Sequence, residues 1–78
     1  MEKLRVYLNS ISKSEQVEFA NKCGSSIGYL RKAISVNQLL NPLLCVQIEL
    51  NSHNAVTRPD LRPDDWQQIW PEINKQIT

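Results

Sequence analysis

The stretch Gln16-Val17-Glu18-Phe19-Ala20-Asn21-Lys22-Cys23-Gly24-Ser25-Ser26-Ile27-Gly28-Tyr29-Leu30-Arg31-Lys32-Ala33 holds two short helical patterns with almost nothing between them. The first pattern starts just upstream, where Ser12 and Glu15 have the spacing of a capping box. Its apolar positions are Phe19, Ala20 and Cys23, and it stops at Gly24, a residue that tolerates a left-handed helix end. Ser25 or Ser26 can cap the second pattern, which continues through Ile27, Leu30, Ala33 and Ile34. The connection at Gly24 is too short for an antiparallel hairpin, so the two helices must cross steeply. Ala20 is small where they approach, and Leu30 and Ala33 follow it at ten and thirteen residues. This spacing predicts a helix-turn-helix over about residues 14–35.

The flanking sequence is helical too. Leu4, Tyr7, Leu8 and Ile11 mark one face of a first helix from about Glu2 to Ser10. Asn41-Pro42 is an N-cap followed by a first-turn proline, and the helix it opens should run to about Leu50 with Leu44, Cys45 and Ile48 on one face. After Asn51 the character changes. Residues 51–54 form a turn cluster, Ala55-Val56-Thr57 leans towards β structure, and Pro59 and Pro63 exclude a continuous helix between them. Asp64 and Asp65 then suit the positive end of a last short helix carrying Trp66, Ile69 and Trp70, which Pro71 interrupts. The expected architecture is all-α, with four to five short helices in one domain over residues 1–78 and a C-terminal extension over about residues 55–78.

Size and composition narrow the function classes. Seventy-eight residues make one domain, and 41% hydrophobic with 22% charged residues is the composition of a globular chain. No apolar run nears the roughly 18 residues that span a bilayer. Met1-Glu2-Lys3-Leu4-Arg5 turns charged at once, unlike a signal peptide, so a cytoplasmic location is expected, with no membrane partner. Cys23 and Cys45 lie on core positions with no CxxC pairing and a single histidine, His53. That set is too small for a structural zinc site, and two buried thiols are favoured over a disulfide. No nucleophile–base pair or metal-ligand spacing is present, so neither enzymatic activity nor a cofactor is expected.

The formal charge of +1 is unevenly spread. Residues 1–34 carry six basic and three acidic side chains, residues 35–78 three basic and five acidic. A polyanion would dock on the basic half. On the third helix Leu30, Ala33, Ile34 and Ile27 gather on one side, and Ser25, Gly28 and Lys32 lie opposite with Tyr29 and Arg31 on the flanks. A helix lying in the major groove would offer Ser26, Gly28, Tyr29, Arg31 and Lys32 to base edges or phosphates, with Arg31 or Lys32 suited to guanine acceptors. Gly28 would let the helix backbone come close. Ile27 borders the core but could also meet a thymine methyl. Asn37 and Gln38 are further phosphate candidates.

Residues 16–33 resemble the helix-turn-helix of lambda-type Cro and repressor proteins. The resemblance implies a lambda repressor-like DNA-binding domain, in which Gln16 is placed like the residue that bonds a phosphate. A second stretch, Ala55-Val56-Thr57-Arg58-Pro59-Asp60-Leu61-Arg62-Pro63-Asp64-Asp65-Trp66 ending at Ile69-Trp70-Pro71, looks like the C-terminal segment of YdaS-like, Cro-related prophage regulators. Together the two cover residues 14–70. They imply a prophage-encoded regulator of transcription that binds double-stranded operator DNA, sometimes described as the antitoxin of a toxin–antitoxin pair.

The tail adds an apolar stripe. Trp66 and Ile69 are expected to close the core under the first and fourth helices, while Trp70, Ile73 and Ile77 would stay exposed as a dimer or partner contact. A homodimer would set two recognition helices about 34 Å apart, one DNA turn. The expected function is repression of a prophage promoter by operator occlusion. The competing expectation is an antitoxin-like interaction module that covers a toxin or other protein through its C-terminal stripe.

Overall fold

A computed structural model describes residues 1–73, and these residues are all-α. Six helices follow in order: α1 (Glu2–Asn9), α2 (Lys13–Lys22), α3 (Ile27–Val36), α4 (Pro42–Asn51), α5 (Arg58–Leu61) and α6 (Trp66–Ile69). None is long and apolar enough to cross a membrane.

The caps set the helix boundaries as the sequence predicts. Ser12 accepts from the Glu15 backbone N–H at 3.1 Å, while Glu15 Oε1 accepts from the Ser12 N–H at 2.9 Å. This reciprocal box starts α2 and holds the Glu15 carboxyl below its ordinary pKa, because the backbone N–H of Ser12 favours the charged form. Ser26, rather than Ser25, caps α3 by accepting from Tyr29 N–H at 3.1 Å. Asn41 does the same for α4 through Leu44 N–H at 2.8 Å.

The turn between α2 and α3 is a Schellman arrangement around Gly24, whose φ is +80°. Ser25 N–H donates to Ala20 O at 2.9 Å and Gly24 N–H to Asn21 O at 3.0 Å. Asn37, at φ +53°, ends α3 in the same way, with Gln38 N–H donating to Ala33 O at 2.8 Å. A non-glycine residue there must tolerate the left-handed region, which asparagine does better than most.

The core runs through the whole described chain. Leu4 and Leu8 of α1, Phe19 and Ala20 of α2, Leu30 and Ala33 of α3, and Leu44, Cys45 and Ile48 of α4 are all buried. Leu40, Val56 and Leu61 join them from loops and α5. Tyr7 and Phe19 stack obliquely, ring centroids 5.1 Å apart. Cys23 and Cys45 are free buried thiols, and burial pushes each pKa up to about 11, so both stay protonated near neutral pH.

The C-terminal segment corrects three expectations. Thr57 does not extend a strand: it caps α5 in a second capping box, accepting from Asp60 N–H at 3.4 Å while Asp60 Oδ2 accepts from Thr57 N–H at 3.0 Å. Pro59 sits in the first turn of that helix, where a missing N–H costs nothing, so one helical turn fits between the prolines.

The apolar stripe is also not arranged as expected. Trp70 and Ile73 are buried, whereas Trp66 and Ile69 are only partly buried against the core. The stripe assumed a continuous helix, but Trp70 precedes Pro71 and leaves helical geometry at φ −129°, ψ 69°. That bend turns its indole inward. Trp70 and Ile73 are therefore core residues rather than an exposed contact, and Ile77 lies outside the described residues.

The second quoted motif acts as a clasp. Arg62 holds Asp65 with two bonds, at 3.1 and 2.8 Å, and donates through Nη1 to Leu40 O at 2.6 Å, tying the extension to the loop before α4. The Arg62 guanidinium keeps the Asp65 carboxyl below its usual pKa. Arg58 lies with Nε 3.0 Å from Glu49 Oε1 and its guanidinium 5.3 Å from the Trp70 ring centroid. Its backbone N–H donates to Glu49 Oε2 at 3.0 Å.

Candidate nucleic-acid interface

The outer face of α3 is set by what its inner face buries. With Leu30 and Ala33 inside, the opposite side presents Gly28, Lys32 and Ser35, all exposed. A Cβ added at Gly28 would meet no atom within 4 Å, so the glycine leaves this face flat without being required by neighbours within the domain.

Arg31 flanks that face and is the best-positioned side chain on it. Its Nη2 donates to Gln16 Oε1 at 2.9 Å and to Asn9 Oδ1 at 3.0 Å. Gln16 is held in turn: its Nε2 donates to Leu8 O at 2.8 Å and Ile11 O at 3.2 Å, two carbonyls at the end of α1. This chain of bonds links α1, α2 and α3 and fixes the guanidinium. Its acceptors are neutral, so the positive charge is held in place without being cancelled. Gln16 thus spends its amide inside the domain, and a phosphate bond from it would require one of these bonds to be exchanged.

Around this network lies a groove of about 470 Å³ lined by Asn9, Lys13, Gln16, Val17, Ile27 and Arg31. It contains two cations and no carboxylate. Ile27 packs partly against the core and also lines the groove, so it meets both descriptions the sequence allowed.

Among the described residues the carboxylate-paired cations are Arg5, Lys22, Arg58 and Arg62, whereas Lys13, Arg31 and Lys32 have no carboxylate partner. The unpaired positive charge therefore gathers where α3 meets the start of α2.

The remaining expected site residues are placed as follows. Ser25 is half-buried in the turn, and Ser26 commits its hydroxyl oxygen to the α3 cap. Tyr29 points away from Gly28 and lines a second groove with Leu43, Leu44 and Gln47. Asn37 and Gln38 are exposed after α3 and use backbone groups to end it.

Sequence reasoning missed Lys13, Ser35 and Asn9. Lys13 opens α2 three residues before Gln16, and Ser35 lies seven residues after Gly28, so helical spacing could have found both. Asn9 gave no such signal, because its partner Arg31 is 22 residues away in sequence.

No protein-family profile matches the chain, and no solved structure matches it. A prophage transcriptional regulatory protein of Escherichia coli (strain K12) is 36% identical over 61 residues, which cover 78% of this chain and 92% of that relative. The chain belongs to the family of this prophage transcriptional regulatory protein.

Proposed function

We propose that this protein is a sequence-specific DNA-binding transcriptional regulator, a Cro-like repressor that occludes a prophage promoter. The observation that carries the reading is the unpaired cluster of Lys13, Arg31 and Lys32 beside the flat outer face of α3, with no carboxylate in the groove they border. The α3 face enters the major groove. Arg31, pre-aimed by Gln16 and Asn9, reads guanine acceptors. Lys13 and Lys32 meet phosphates and set the register. Ser26 and Gly28 let the start of the helix approach, while Tyr29, Asn37 and Gln38 reach the periphery. One small domain of modest charge holds a single half-site weakly, so two copies on an inverted repeat supply useful affinity.

The relative's name supports transcription regulation as the setting. The reading as an antitoxin-like module loses support, because it relied on Trp70 and Ile73 being exposed and both are buried.

The test is a mobility shift on the DNA just upstream of the protein's own gene, with Arg31→Ala/Lys32→Ala beside the wild type. A discrete, competitor-resistant shift lost in the variant is expected. A wild-type shift that the variant retains at the same protein concentration would remove α3 from the reading.

A further inference from the structure

The α4 helix is apolar nearly all round but covered on one side only. Leu44, Cys45 and Ile48 face the core, while Leu43 is 71% and Leu50 62% exposed. With Gln47 between them, these residues lie at i, i+4 and i+7, one face of the helix. The only charged side chain on α4, Glu49, is turned away and taken up by Arg58. Tyr29 of α3 joins this face, lining a groove of about 520 Å³ with Leu43 and Gln47. Val36, seven residues after Tyr29, is exposed on the same side of α3. Apolar surface of this extent on a small domain marks a contact surface, because such helices are stable when both sides are covered.

We propose that this face of α4, extended by Tyr29 and Val36, is where a second copy of the chain docks. The role assigned to the dimer rests on the DNA-binding reading above; the surface itself does not.

Three observations favour a second copy. The face carries no charge, so it is compatible with itself and offers nothing to a polyanion or a charged peptide. It also sits at the right angle. Tyr29 and Val36 are each one residue, about 100° around α3, from Gly28 and Ser35 of the outer face. A two-fold contact through this flank leaves both outer faces free and pointing the same way. Finally, the molecule measures 37 × 24 × 20 Å, so two copies side by side set equivalent helices a distance apart comparable with the ~34 Å of one DNA turn. The patch is a few hundred Å², well below the roughly 800 Å² per partner of a standard interface, so the dimer is weak in free solution.

Sedimentation equilibrium of the full chain from about 10 μM to 1 mM tests this without DNA. The wild type is expected to show a reversible monomer–dimer equilibrium. The doubly substituted Leu43→Glu/Leu50→Glu protein should remain monomeric throughout, with unchanged circular dichroism and Tm because both positions face solvent. A wild type that is monomeric at 1 mM, or a folded variant that dimerises as well as the wild type, overturns the proposal. In a mobility shift on the upstream DNA, the variant should need at least ten-fold more protein. An intact dimer with no shift by either protein would break the DNA-binding reading and leave the docking surface standing.

Discussion

Arg31 and Arg62 are both partly buried arginines, and they do opposite things. Arg62 is matched by a carboxylate: Asp65 holds two of its nitrogens, and a third bonds the Leu40 carbonyl. Its charge is consumed in fastening the C-terminal extension to the domain. Arg31 is held just as firmly, but by the neutral oxygens of Asn9 and Gln16. The same contrast holds for the two regions around them. Arg58 and Arg62 after α4 are both paired with acids, whereas Lys13, Arg31 and Lys32 on α2 and α3 are not. A basic residue serves the fold where a carboxylate meets it, and remains available to a ligand where only neutral acceptors orient it.

The strongest way to break this contrast is Trp70→Ala. If the C-terminal region is structural, removing its buried indole should cost about 3–5 kcal/mol, the usual range for a large core aromatic. Thermal unfolding would show a large fall in Tm; an unchanged Tm would mean the clasp does not hold the fold. Next in size is Arg31→Ala/Lys32→Ala. It should weaken operator binding about 30-fold, roughly 2 kcal/mol, and lower the salt slope of binding by about two, with Tm nearly unchanged. A stability loss without an affinity loss would reverse the assignment of the two regions.

A smaller effect sharpens the role of Gln16. Gln16→Ala frees the Arg31 guanidinium without removing it, so operator affinity should fall about five-fold while affinity for unrelated DNA changes little. An equal fall on both DNAs would make Gln16 a phosphate ligand instead.

The smallest effect is acid sensitivity of the clasp. The pKa of Asp65 is depressed in the folded state, so its contribution is present above its ordinary value of 3.8 and lost as pH falls below it. Asp65→Asn should therefore lower Tm at pH 6, and the gap to wild type should close between about pH 4 and pH 2. A gap independent of pH would show that the charge of Asp65 is not what holds Arg62.

Local rules account for most of the helix boundaries. Ser12 with Glu15, Gly24 and Asn41-Pro42 each act on backbone groups within a few residues, so their effect could be written down before any packing was known. The burial of Phe19, Ala20, Leu30 and Ala33 followed equally well from helical period. The Thr57–Asp60 box was legible by the same rule but was obscured by the β-leaning residues around it. Trp70 was harder. The period that placed it on an exposed stripe fails where Pro71 breaks the helix, and which way an indole turns at a break depends on the Arg58–Glu49 pair above it.

The amino-acid sequence by itself determined the all-α class, the α2–turn–α3 geometry and the basic outer face of α3, because caps, turns and helical period depend on near neighbours along the chain. Only the tertiary structure decided which cations stay unpaired, that Gln16 and Asn9 aim Arg31, and that Trp70 faces inward while Leu43 and Leu50 face out. Those outcomes depend on groups far apart in sequence, such as Asn9 and Arg31 or Leu40 and Arg62, whose meeting is set by how the helices pack.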